Sequence, residues 1–211
     1  MRRLFVLLLV AVTAACGGSS SGPTGPTASS VSVQQPDVPK GMVRCDVSGD
    51  IATFIQKEQP QDPGTSHTIT TEWADAQSHG ATAGYASLFT DSQANCAAIK
   101  SSSTNISVAT YKLVVNFVVQ YKTEKEAEDA YNNQSVLGFS PSALSSAAGG
   151  RLQGSKTGLT SNSVSLTEPV GNQVFYIAFW QSSAFVVILA VINLDPVASK
   201  RIATSVNGRI K

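Results

Sequence analysis

The chain has 211 residues, with 15 Lys+Arg against 14 Asp+Glu and a formal net charge of +1. So even a balance excludes a nucleic-acid binder that works by bulk positive charge. Charged residues make up 14% and hydrophobic residues 42%, enough apolar side chain for one globular core with a tail.

The amino terminus carries the first signal. Arg2 and Arg3 precede an unbroken apolar run from Leu4 to Val12, and the small residues Thr13, Ala14 and Ala15 follow. This order of basic, apolar and small segments predicts a secretory signal peptide over residues 1–15. The apolar run is too short to cross a bilayer stably.

Cys16 comes directly after the small residues, and Thr13-Ala14-Ala15-Cys16 resembles the lipobox of bacterial lipoproteins. In that class Leu is usual three residues before the Cys, where this chain has Thr13. The resemblance implies cleavage before Cys16, a diacylglyceryl group on its sulfur, and often a further acyl chain such as palmitate on its new amino group. It also implies a membrane partner held through lipid, with the body on the extracytoplasmic side of the cell membrane. Two or three acyl chains supply the multiple anchors that durable attachment requires. Loss of Arg2 and Arg3 would reduce the 15 basic side chains by two, leaving one fewer than the 14 acidic ones.

From Gly17 to Ser30 the chain has no charge and no large apolar residue, and a sparse, Pro-containing stretch continues to Lys40. Such composition predicts a disordered tether over residues 16–40, with the folded body over 41–211. Cys45 and Cys96 remain as an even pair, which in an exported protein predicts a disulfide.

Along the body, the Ser48-Gly49-Asp50 run is placed to cap a helix bearing Ile51, Phe54 and Ile55 and ending before Pro60. Gln59 to Gly64 reads as a loop, and a short helix is expected to start at Thr70 or Thr71 and stop at Gly80. A strand over 84–90, a helix capped by Asp91, and an alternating strand over 108–121 follow. Thr123 and Glu126 form a capping box for a helix with Ala127, Ala130 and Tyr131 on its inner face. Residues 132–163 read as loops with one helical turn near Pro141, and a short strand follows at 164–166. Val174 to Ile192 has no charge and nearly the length of a membrane span, but Gln181, Ser182 and Ser183 interrupt it centrally and its Val, Ile and Phe suit strands. It is therefore read as a hairpin. Asp195-Pro196 opens a closing helix whose stripe is Val197, Ile202, Val206 and Ile210, with basic residues in its final turn. The fold class expected is α+β: an antiparallel sheet covered by helices on one face, ending in a hairpin and a helix.

Chemistry is sparse. No phosphate-cradling glycine loop or nucleophile elbow is found, and no catalytic residue or cofactor is assigned. The best polar constellation is His67, Glu72, Asp75 and His79: on a helix over 71–79 the last three fall on one face and could hold a metal with His67 reaching from the preceding loop, and the plainer reading is a solvated helix face. Trp180, beside the hairpin turn, reads first as closing the edge of the core and second as an exposed contact residue. The body resembles uncharacterised small lipoprotein domains of bacterial envelopes. The expected function is a non-enzymatic binding or interaction module of the envelope, with an envelope protein or small ligand as partner. The alternatives are a hydrolase or metal-dependent enzyme centred on those four residues, and a carrier of an apolar ligand.

Overall fold

The computed structural model describes residues 25–101, 110–145, 150–170 and 172–210. The expected signal peptide, Cys16 and the first part of the tether lie outside the described residues.

The fold is α+β, as expected, built on an eight-stranded sheet in which every pairing is antiparallel. The strands are β1 (Val43–Arg44), β2 (Gly49–Asp50), β3 (Ala81–Thr90), β4 (Leu113–Tyr121), β5 (Gly150–Gln153), β6 (Ser163–Val170), β7 (Gln173–Ser182) and β8 (Phe185–Ile192). Their spatial order is β1-β3-β4-β8-β7-β6-β5, with β2 also on β3. After β4 the chain crosses to the far edge, then β5 to β8 walk back strand by strand until β8 meets β4. That seam runs from Leu113↔Ile192 to Gln120↔Phe185. The uncharged 174–192 segment is thus the β7–β8 hairpin, turning at Ser183 and Ala184.

Helices α2 (Ile51–Glu58), α3 (Pro63–Ser78), α4 (Gln93–Ser101), α5 (Glu124–Asn133) and α6 (Pro141–Ser145) accompany one hydrophobic cluster; α1 (Ala28–Val31) and α7 (Pro196–Gly208) accompany a second. Alternate residues of the same strands divide between the clusters. Leu113, Phe117, Val119 and Ile188 belong to the first; Val114, Val118, Val187 and Leu189 belong to the second. Helices therefore cover both faces, not one. The physical reason is in the strands: β4 and β8 are apolar at successive positions, and a strand apolar on both sides must be covered on both.

The second correction concerns the lead-in. Residues 27–40 are not tether: Thr27 forms a capping box with Ser30, and Ala28, Val31, Val33 and Val38 are buried against the second face. The body begins at Thr27 instead of Gly41. Its apolar residues are too widely spaced to show a helix or strand period, yet each one covers part of a face that α7 alone leaves open. Polar bonds fix this strap in place. Asn116, fully buried in β4, accepts from the Val33 amide (2.9 Å) and donates to the Ile188 carbonyl (2.9 Å). Arg209, just past α7, donates to both carboxylate oxygens of Asp37 (2.9 and 2.8 Å) and to the carbonyls of Val31 and Ser32. Arg209 is one of the basic residues expected in the final turn of that helix, and it ties the helix end to the strap.

Several local expectations hold. Asp50 caps α2 through the Thr53 amide, Thr123 and Glu126 close their box on α5, and Asp195 caps α7 ahead of Pro196. In α7, Ser199, Ile202, Ala203 and Val206 face inward. Val197, expected on that stripe, is 79% exposed because it sits about 200° around the helix from Ser199. Helix α3 starts at Pro63 under an Asp62 cap, well before Thr70. A short fifth strand at 150–153 lies where loop was expected.

The disulfide expected from the cysteine count is present: Cys45 joins Cys96 on α4, and both are buried. It ties the β1–β2 edge to the first helical layer.

Two outcomes test this account. Arg209→Ala strands Asp37, whose side chain is only 8% exposed, and should cost about 3 kcal/mol in urea unfolding. Replacing both Cys45 and Cys96 with Ala opens a loop of sequence separation 51 and should cost about 4 kcal/mol by the loop-entropy relation, read from the same titration.

Candidate functional site

The length of α3 decides the fate of the four-residue constellation. Because Asp62 and Pro63 start the helix early, His67 lies inside it and not in a preceding loop. Glu72 lies five positions after His67, which places the two about 140° apart around the axis. Their environments differ accordingly. His67 is exposed. Glu72 turns toward the Val136–Phe139 turn and accepts from the Gly138 amide at 3.1 Å. Asp75 and His79 pair with each other at 3.6 Å on the exposed side, and His79 Nδ1 also lies 2.9 Å from the Asp75 carbonyl. Two of the four therefore meet, one is committed to a backbone amide, and one stands apart. Among the described residues no group of three or more His, Cys, Asp or Glu could hold a metal ion. The basis for an enzyme centred on these four is lost.

Trp180 belongs to the core, the first of its two readings. It is fully buried in the second cluster, with Phe179 equally buried on the other side of β7, where Tyr131 stacks on it at 4.9 Å. Burial pushes the Tyr131 phenol up to about 12, so it carries no charge near neutral pH. The same crowding answers the apolar-carrier reading. Val164, Ala178, Phe179, Trp180, Val186 and Val187 have no accessible surface at all. A cavity beside the hairpin large enough for a guest would leave some of that surface open. The space is filled by side chains.

The surface offers shallow clefts instead. One, of about 320 Å³, lies where the strap meets β3, between Ser29, Asp50 and Tyr85; the Arg44 guanidinium sits 5.6 Å above the Tyr85 ring. A second, of about 340 Å³, flanks the edge strand β5 and includes Arg151, Leu152 and Lys156. A third, of about 450 Å³, opens between the end of α5 and the start of α6. One wall is Asn132, Asn133, Gln134 and Ser135, and the other is Ser140 to Ser142. The reversal between the walls is tight. Val136 and Phe139 exchange backbone hydrogen bonds of 2.8 and 3.0 Å, and Leu137 and Gly138 both adopt positive φ (50° and 82°). A buried Leu in that region is strained, and the surrounding packing together with the Glu72 brace holds it there. Sequence reading missed this cleft because amides and serines in a loop carry no periodic signal; the adjoining Asn-Asn-Gln-Ser run was the one available cue.

No protein-family model matches the chain, and no curated protein matches it. Among solved structures it is similar to the extracellular domain of PknH from Mycobacterium tuberculosis, at 12% identity over 87% of this chain and 94% of that one, with a TM-score of 0.49. A likeness this distant fixes neither activity nor ligand. No helix among the described residues is long and apolar enough to cross a membrane.

Proposed function

We propose that the chain is a lipid-anchored, extracytoplasmic lipoprotein whose body acts as a binding or interaction module of the cell envelope. The observation that carries this reading is the succession of residues at the amino terminus: two arginines, an apolar run, small residues and Cys16. The Cys45–Cys96 disulfide supports it, since such bonds persist in oxidising compartments and are rare where thiols are kept reduced. Binding is favoured over catalysis because the constellation best suited to chemistry is dispersed along α3, with Glu72 already spent on Gly138. The filled interior beside the hairpin leaves the surface as the place where a partner is met.

Mass spectrometry of protein purified from its native host tests the anchor. The expected species begins at Cys16 and carries acyl mass on that residue. An intact leader, or an unmodified Cys16, overturns the assignment. Cys16→Ala should shift the protein from the membrane to the soluble fraction, and its retention on membranes would contradict the anchor independently.

A further inference from the structure

We propose that the cleft between α5 and α6 is a binding site for a neutral glycan. The proposal deepens the envelope-module reading by naming a ligand class. It relies on that reading only for where such a ligand would be met.

Three observations carry it. The first is the set of groups presented. Asn132, Asn133 and Gln134 bear side-chain amides that form no hydrogen bond with any described residue, and the Ser135 hydroxyl is likewise unengaged. Each carboxamide offers two donors and a two-lone-pair acceptor, a pattern that matches adjacent sugar hydroxyls or an acetamido group. The second is charge. Among the described residues no ionisable side chain lines the cleft, and the carboxylate braced beneath its turn, Glu72, accepts from the Gly138 amide. A phosphate or nucleic acid would call for cations, which the lining lacks. An extended peptide would call for a free strand edge or apolar side-chain pockets, and among the described lining residues Pro141 alone is apolar. The third is shape. About 450 Å³ is within the range of small-ligand clefts, and the strained Leu137–Gly138 reversal fixes the separation of the two walls before a ligand arrives.

Neutral hydrogen bonds exchanged with water are individually weak, so binding should be in the range of about 0.1–10 mM, with loss of one amide weakening it about fivefold. The test titrates the full mature chain, in micelles of a zwitterionic detergent without a sugar head group. Two probes are used separately: a tetramer of N-acetylglucosamine and maltotetraose. The side-chain NH2 resonances of Asn132, Asn133 and Gln134 should shift with at least one probe. Response to the acetylated tetramer alone assigns the recognition to the acetamido group, and response to both assigns it to ring hydroxyls. Asn133→Ala should weaken binding about fivefold, and the triple variant N132A/N133A/Q134A should abolish it. The three residues lie on the surface, and an unchanged unfolding midpoint will show that the variant is folded. Silence of these resonances with both probes, or unchanged binding by the folded triple variant, overturns the proposal. Neither result depends on acylation of Cys16, so the anchor stands or falls separately.

Discussion

The β4–β8 pairing is the constraint from which the architecture follows. It is the one place where the first half of the sheet, β3 and its short edge strands, meets the β5–β8 meander. Each of its rungs joins residues some seventy positions apart, so its closure cost in chain entropy must be offset by what is buried around it. Val114, Val118, Val119, Val186, Val187 and Leu189 are all fully covered. At about 25 cal/mol per Å² of apolar surface, burial on both sides of such strands supplies that offset, and it requires a layer of helices or chain on each side. The two-sided cover, the strap and α7 are consequences of this seam.

Asn116 occupies the middle of the seam and links its two requirements. A polar amide buried among valines is costly unless paired. Here one end of the amide receives Val33 from the strap and the other gives to Ile188 of β8. The same side chain therefore sets where the strap lies and adds a cross-strand bond at the centre of the sheet. Arg209 repeats the device at the rim, joining the end of α7 to the strap. The two ends of the body are held together by these polar contacts over an otherwise apolar interface.

Much of the fold could be read from the residues because it was written in local chemistry. Asp50, Thr123 with Glu126, and Asp195 with Pro196 mark helix starts whose caps are satisfied within three residues. The hairpin declared itself by three polar residues inside an apolar, β-rich run. The disulfide followed from an even cysteine count. What escaped depends on distant partners. The strap's isolated alanine and valines acquire meaning only beside the sheet face they cover, and Asn116 only beside Val33. Asp62-Pro63 carries the same start signal as Asp195-Pro196, but the polar, Thr-rich sequence that follows hides the helix; α3 buries little more than Ser66 and Ala76. That misplaced start is also why His67, expected to reach in from a loop, is instead carried on the helix itself, away from Glu72. The α5–α6 cleft is defined by a strained reversal, which has no signature in one dimension, and by amides that bond no described residue, of which the Asn-Asn-Gln-Ser run was the only cue.

The ordering of Thr27 shortens the leash. If Cys16 is held in lipid, residues 17–26 alone separate it from the first capped turn, a contour of at most about 40 Å whatever path they take, against about 85 Å had the body begun at Gly41. On the proposed anchoring, the module would patrol a thin shell beside its own bilayer, and anything it grips must lie within that shell or come to it.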